Sequence, residues 1–228
     1  MTEKSTAVED YVKAIYKLSF DNKRVTPSHV AETLGVSSAA VTKMVKKLQD
    51  LKLVTYARTQ GLKLSPSGEK IALEVIRHHR LLELYLTEAL GYGWDEVHQE
   101  AEKLEHVISE QFEDQIEKLL GYPTHDPHGS PIPTRDGQVE IPKLTMLAEL
   151  KPGQRGVIRQ VSDDDAEMLN FLGGLGMYPG TGIEMLGKEP YGGPLLVKVS
   201  GTDHAIGAEL ATHVYVSLQA PDDSAKKQ

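Results

Sequence analysis

The dominant hydrophobic period of this chain changes between Leu120 and Leu144, and that change limits the folds open to it. Up to Leu120 apolar residues recur mainly every three or four positions, and after Leu144 they recur at every second position. The segment between, "GYPTHDPHGSPIPTRDGQVEIP" from Gly121 to Pro142, is dense in Pro, Gly, His and Asp and marks a boundary. A helical part followed by a β part predicts an α+β multidomain chain. At 228 residues it has room for two or three small cores.

In the helical part, residues 6–20 place Val8, Tyr11, Val12, Ile15, Tyr16 and Leu18 on one stripe, leaving Asp10 off it. Thr26-Pro27 starts a short helix that ends at Gly35, and Ser37 caps a third, "SSAAVTKMVKKLQDLK". Two helices joined by a tight Gly turn, the second small at its start and basic further on, form a helix-turn-helix. Ser37, Ser38, Ala39 and Ala40 are small enough for a close approach to base edges, and Thr42 is a further candidate DNA contact. Lys43 reaches a guanine edge or a phosphate, and Lys46 and Lys47 suit phosphate. "LVTYARTQGLKLS" follows as a hairpin around Gly61 with Arg58 and Lys63 near its tip, completing a winged helix.

The net charge of −8 hides a division that supports this reading. From Ser37 to Lys63 six basic residues face Asp50 alone, 6 − 1 = +5. From Glu83 to Leu120 two lysines face eleven acids, 2 − 11 = −9. The basic part suits double-stranded DNA, and the acidic part repels itself unless a cation lies within it. At the start of that acidic part "HHRLLE" sets His79 four residues before Glu83, and "VHQEAEKLEH" brings His98, Glu102, Glu105 and His106 onto one helix expected from Trp94 to Leu120. This pattern suits a metal cage, and a solvated acidic face remains the alternative.

Without a cysteine the chain has no disulfide, thiolate nucleophile or zinc ribbon. Its polar start, MTEKSTAVED, is unlike a signal peptide, so a cytoplasmic protein with no membrane association is expected. H-E-x-x-H is missing, and neither a general base nor an organic cofactor motif is evident, so no enzyme is expected. After Leu144, "RGVIRQVS", "GIEMLGKE", "PLLVKVSG", "HAIGAEL" and "HVYVSL" read as strands of a small barrel, interrupted by the helix "DDAEMLNFLGGLG". His125 and His128 read first as solvated or capping, with metal binding as the alternative, His204 and His213 as structural, and "APDDSAKKQ" as a disordered tail.

With these pieces placed, the chain resembles the diphtheria toxin repressor family of metal-dependent transcriptional regulators, and more narrowly its manganese-responsive members. The likeness covers nearly the whole chain. It rests on "EDYVKAIYKL", "VAETLGVSSAAVTKMVKKL", "HHRLLE", "WDEVHQEAEKLEHVISE" and "DPHGSPIP". It implies a winged helix-turn-helix over residues 1–72, an all-α metal-binding and dimerisation domain over 73–143 and an SH3-like β-barrel over 144–228. It further implies a homodimer on a palindromic operator and up to two ions per subunit. The primary ion would take Asp10, Glu102, Glu105 and His106. The second would take His79, Glu83 and His98, completed by Asp165, with Glu167 or Asp164 as alternatives. Iron-responsive members have Met and Cys where this chain has Asp10 and Glu102, so hard donors favour Mn²⁺ over Fe²⁺. The expected function is repression in manganese homeostasis. An iron-responsive regulator, a metallohydrolase and a winged-helix sensor of an organic ligand are the other readings. One departure stands out: the manganese-type pattern has another acid in the first helix where this chain has Lys13.

Overall fold

The computed structural model describes residues 3–21 and 24–219, so the tail expectation at 220–228 lies outside the described residues. The chain forms two compact units. Unit one comprises residues 1–82, 101–122 and 132–139; unit two comprises 83–100, 123–131 and 140–228.

Unit one begins with α1 (Glu3–Asp21), α2 (Pro27–Thr33) and α3 (Ser38–Asp50), followed by the strands β1 (Val54–Ala57) and β2 (Gly61–Leu64). Local chemistry sets these boundaries. The Thr26 hydroxyl accepts from His29 N and Pro27 occupies the first turn of α2, while Ser37 Oγ accepts from Ala40 N at the start of α3. Gly35, at φ +62°, makes the turn between the two helices in a conformation that L side chains avoid. β1 and β2 pair antiparallel with Val54 opposite Leu64 and Ala57 opposite Gly61. Gly61 is required there, because a Cβ would meet Val25 O at 2.3 Å. Val12, Ile15, Val30, Val41, Leu48 and Leu62 form the core beneath the head. At about 25 cal/mol per Å² of apolar area, each such side chain contributes roughly 1.5–3 kcal/mol.

A long helix α4 (Pro66–Leu90) and a short one α5 (Val97–Leu104) follow, and the division between the units runs through both. The single helix expected from Trp94 to Leu120 is corrected here: α5 stops at Leu104 and α6 spans Glu110–Leu119. Ser109 caps α6, its hydroxyl accepting from Phe112 N at 3.2 Å. A Ser that can start a helix competes with its continuation, and apolar periodicity alone does not reveal the restart. Glu105 and His106 therefore lie in the turn beyond α5, where one helical face no longer orders them.

Unit two carries β3 (Thr145–Met146), β4 (Arg155–Val161), β5 (Gly182–Lys188), β6 (Leu195–Val199), β7 (Thr202–Ile206) and β8 (Val214–Leu218), with α7 (Ala166–Gly174) after β4. The six strands form one antiparallel sheet in the order β3-β8-β4-β5-β6-β7. Alternation sends Leu195, Val197 and Val199 inward, as it does Val214 and Val216. In β4 the inward residues are Ile158 and Val161, three apart, because a register shift between Ile158 and Gln160 inserts an extra residue. Leu169, Leu172 and Met177 close this core. Among the described residues no helix is long and apolar enough to cross a membrane.

Candidate metal centres and DNA-reading head

The reading head presents its polar residues outward. Ser37, Ser38, Ala39, Thr42, Lys43, Lys46 and Arg58 are exposed and Lys47 is half-buried, whereas Val41, Val45 and Leu48 hold α3 to the core. Thr42 Oγ1 donates to Ser38 O at 2.9 Å, which leaves the threonine methyl as its outward group. Small residues at the exposed start of α3 with lysines one and two turns later form a surface that can enter a groove and hold its phosphates.

Below the head, α1 meets the turn after α5. Asp10, Glu105 and His106 bring ligand atoms within 4.8 Å of one another. His106 Nε2 is 2.8 Å from Asp10 Oδ1 and 3.3 Å from Glu105 Oε1, while His106 Nδ1 is 2.7 Å from Glu9 Oε2. The hydrogen bond to Asp10 pushes the His106 imidazole up to about 9; burial opposes this and Glu9 and Glu105 add to it. The carboxylates of Asp10 and Glu105 with the His106 imidazole are a donor set of hard oxygens and one nitrogen, which fits Mn²⁺ or another divalent ion of the same size class.

Glu102 is not part of that trio. Its Oε1 lies 2.8 Å from Lys13 Nζ, and the same ammonium lies 2.7 Å from Glu105 Oε2 and 3.4 Å from His79 Nδ1. His79 Nδ1 also hydrogen-bonds Glu105. His79, Glu102 and Glu105 thus form a second donor group of unit one, with the Lys13 side chain 7% exposed between them. A buried ammonium does there what an ion would do electrostatically.

Unit two holds a separate cluster. Glu83, Asp126, His128 and Asp163 bring ligand atoms within 4.8 Å of one another, and all but Asp163 are buried. Glu83 presents Oε1 to His98 Nδ1 at 3.1 Å and Oε2 toward His128 Nδ1 at 3.8 Å, and Asp163 Oδ2 is 3.8 Å from His98 Nδ1. His79 precedes Glu83 by one turn on α4. His128 is fully buried, and its Nε2 donates to Trp94 O at 2.6 Å. That bond leaves Nδ1 aimed at the carboxylates without a hydrogen-bond partner among the described residues. Burial works against a charged His128, but Glu83 first, then Asp126 and Asp163, push it up to about 9. The spacing of 3.8 Å is too long for a hydrogen bond and compatible with two donors flanking an ion at ~2.0–2.2 Å each.

Two expectations are corrected here. Asp165 and Glu167 do not join the cluster: Asp165 Oδ1 caps α7, accepting from Glu167 N at 2.9 Å and Met168 N at 3.1 Å, and Glu167 is exposed. Asp164 is exposed as well, so Asp163 is the acid of that loop that reaches His98. His128, expected to be solvated or capping, is instead a buried donor, whereas His125 is exposed as expected. Capping preference was the available signal, because an Asp immediately before a helix is already engaged by backbone N–H groups. Asp126 and His128 gave only the dipeptide spacing of an irregular loop. Gly129, at φ +84°, fixes that loop, since a Cβ would meet Arg159 O at 1.8 Å.

Outside the clusters Arg77 is buried with Glu113, Glu117 and the Pro133 carbonyl. Burial alone would raise the Glu113 carboxyl, but hydrogen bonds from His78 and Arg77 hold it at about 2.

Three family matches partition the chain. Residues 3–62 match "Iron dependent repressor, N-terminal DNA binding domain", residues 65–134 "Iron dependent repressor, metal binding and dimerisation domain" and residues 145–218 "FeoA domain". The iron-dependent repressor IdeR of Mycobacterium leprae is 34% identical over 193 residues, covering 78% of this chain and 83% of that protein. The diphtheria toxin repressor of Corynebacterium diphtheriae is 36% identical over 130 residues, 56% of this chain and 57% of its own. Among solved structures, a manganese-dependent transcriptional repressor in complex with manganese has a TM-score of 0.88 at 34% identity, covering 93% of this chain and 100% of its own. The manganese regulator SloR has a TM-score of 0.77 at 31% identity, covering 93% and 98%.

Proposed function

Because the chain belongs to the iron-dependent (diphtheria toxin) repressor family of metal-dependent transcriptional repressors, we propose that it represses genes of manganese homeostasis, with Mn²⁺ ahead of Fe²⁺ as the ion that licenses DNA binding. The observation that carries this reading is the pairing of Asp10 from α1 with His106 and Glu105 from the turn after α5. None of these donors is sulfur, and hard oxygen donors suit Mn²⁺. Because Mn²⁺ ranks low in intrinsic affinity, selectivity then rests on donor geometry and on metal supply.

When bound, the ion supplies the positive charge that lets these acidic groups lie together. Asp10 is on the first helix of the head and Glu105 and His106 are beyond α5, so holding the three together fixes α1. A fixed α1 keeps α3 in the orientation that the operator requires. This is a population shift, for which ~1–3 kcal/mol of coupling per site suffices. A second ion would be held by Glu83, Asp126, His128 and Asp163, giving up to two per subunit, with His98 beside them. Exposed Val107, Phe112, Leu119 and Tyr122 supply an apolar surface for a two-fold partner, and a dimer reads a palindrome. The protein acts in the cytoplasm, is not an enzyme, and needs no organic cofactor or membrane.

The test is operator retardation in Mn²⁺, Fe²⁺, Zn²⁺ or chelator, with bound metal counted by elemental analysis. The reading expects Mn²⁺-dependent retardation, two ions per subunit in the parent and one in His128→Ala. Equal retardation in chelator would overturn it in favour of a sensor of an organic ligand.

A further inference from the structure

His106 is held from both sides by α1. Its Nε2 faces Asp10 Oδ1 at 2.8 Å and Glu105 Oε1 at 3.3 Å, which is the side where ligand atoms converge. Its Nδ1 lies 2.7 Å from Glu9 Oε2, and Glu9 is itself buried, with 9% of its surface exposed. Glu9 is outside every donor group among the described residues. A carboxylate only accepts, so the hydrogen between these two atoms belongs to Nδ1.

We infer that Glu9 is a positioning residue for the ion: by keeping the hydrogen of His106 on Nδ1, it reserves the Nε2 lone pair for metal and sets the ring plane toward Asp10 and Glu105. A histidine that binds a metal through one nitrogen and donates to a carboxylate through the other is a better and better-aimed donor than a free imidazole. Adjacent positions on α1 divide the work. Asp10 points its oxygen at the ion's side of the ring and Glu9 at the far side, so one turn of helix sets both the donor and its tautomer. The same contact joins α1 to the turn after α5 without occupying a coordination position.

The inference rests on the reading that Asp10, Glu105 and His106 hold the ion, and the experiment separates the two. The full-length protein, labelled with ¹⁵N-histidine, is titrated with ¹¹³Cd²⁺ as a diamagnetic probe, and Mn²⁺ affinity is measured by calorimetry. In the parent, ¹¹³Cd coupling is expected at Nε2 of His106 with a protonated Nδ1. Glu9→Met keeps the length and removes the acceptor, and is expected to bind Mn²⁺ 10–100-fold more weakly. Glu9→Gln keeps an acceptor oxygen and is expected to retain coupling at Nε2 with a smaller loss. Coupling through Nδ1, parental affinity in Glu9→Met, or an equal loss in Glu9→Gln and Glu9→Met would overturn the role given to Glu9. So would a ¹¹³Cd shift in Glu9→Met reporting one oxygen donor fewer. Absence of any coupling to His106 in the parent would instead remove the premise and the inference together.

Discussion

Lys13 Nζ lies 2.8 and 2.7 Å from the two carboxylate oxygens of Glu105, a side chain with no exposed surface. The ammonium thereby neutralises the donor group of His79, Glu102 and Glu105 from within the chain. Lys13 on the first helix thus gives these acidic groups a cation supplied by the chain itself.

Replacing Lys13 by Met is expected to cost about 3–5 kcal/mol, because it leaves a buried carboxylate uncompensated. Saturating Mn²⁺ is expected to return part of this, on the order of 2.7 kcal/mol at a hundred times Kd. Urea unfolding with and without the ion measures both.

Asp10→Ala removes the head's contribution to the first cluster. Operator affinity in Mn²⁺ is expected to fall about 5–150-fold, the range of a 1–3 kcal/mol coupling, while metal-free nonspecific binding stays within about twofold. Fluorescence anisotropy with operator and scrambled duplexes separates these quantities.

Lys43 and Lys46 are expected to act differently on DNA. Lys46→Ala is expected to reduce the slope of log K against log salt by about 0.9 and to weaken all sequences alike. Lys43→Ala is expected also to relax discrimination at one base pair, by about 1–3 kcal/mol if its contact is to guanine. Binding titrations at three salt concentrations on operator and single-site variants check the difference.

The Arg77–Glu113 pair makes unit one acid-sensitive. The Glu113 carboxyl falls from 4.5 to about 2 on folding, so its contribution is present above pH 4.5 and is lost as pH drops toward 2. The shift corresponds to on the order of 3 kcal/mol shared between His78 and Arg77, and Arg77→Met is expected to remove part of it at pH 7 while losing less further stability than the parent between pH 4.5 and 2.5. Denaturation midpoints across that range read the effect.

Gly129→Ala tests the loop that delivers His128. The added Cβ would meet Arg159 O at 1.8 Å from a backbone at φ +84°, so a loss above about 2 kcal/mol is expected, with one ion per subunit lost while the other remains. Thermal unfolding and metal counting on the same sample distinguish loss of the site from loss of the fold.

The chain by itself determined its local devices. Thr26, Pro27, Gly35 and Ser37 define two helices and a turn by capping and backbone conformation. The alternation after Leu144 defines strands, and spacings of four set His79 with Glu83 and His98 with Glu102 on one helical face. These depend on neighbours within a few positions, which is the range over which hydrogen-bond capping and side-chain periodicity operate. Only the tertiary structure decided which donors share an ion. It ended α5 at Leu104, turned Glu102 toward Lys13, and brought Asp163, Asp126 and His128 to Glu83 while leaving Asp165 to cap α7. Coordination depends on where atoms converge across 45 to 80 positions of chain, from Glu83 to His128 and Asp163. Core packing fixes that convergence, and spacing along a single helix does not record it.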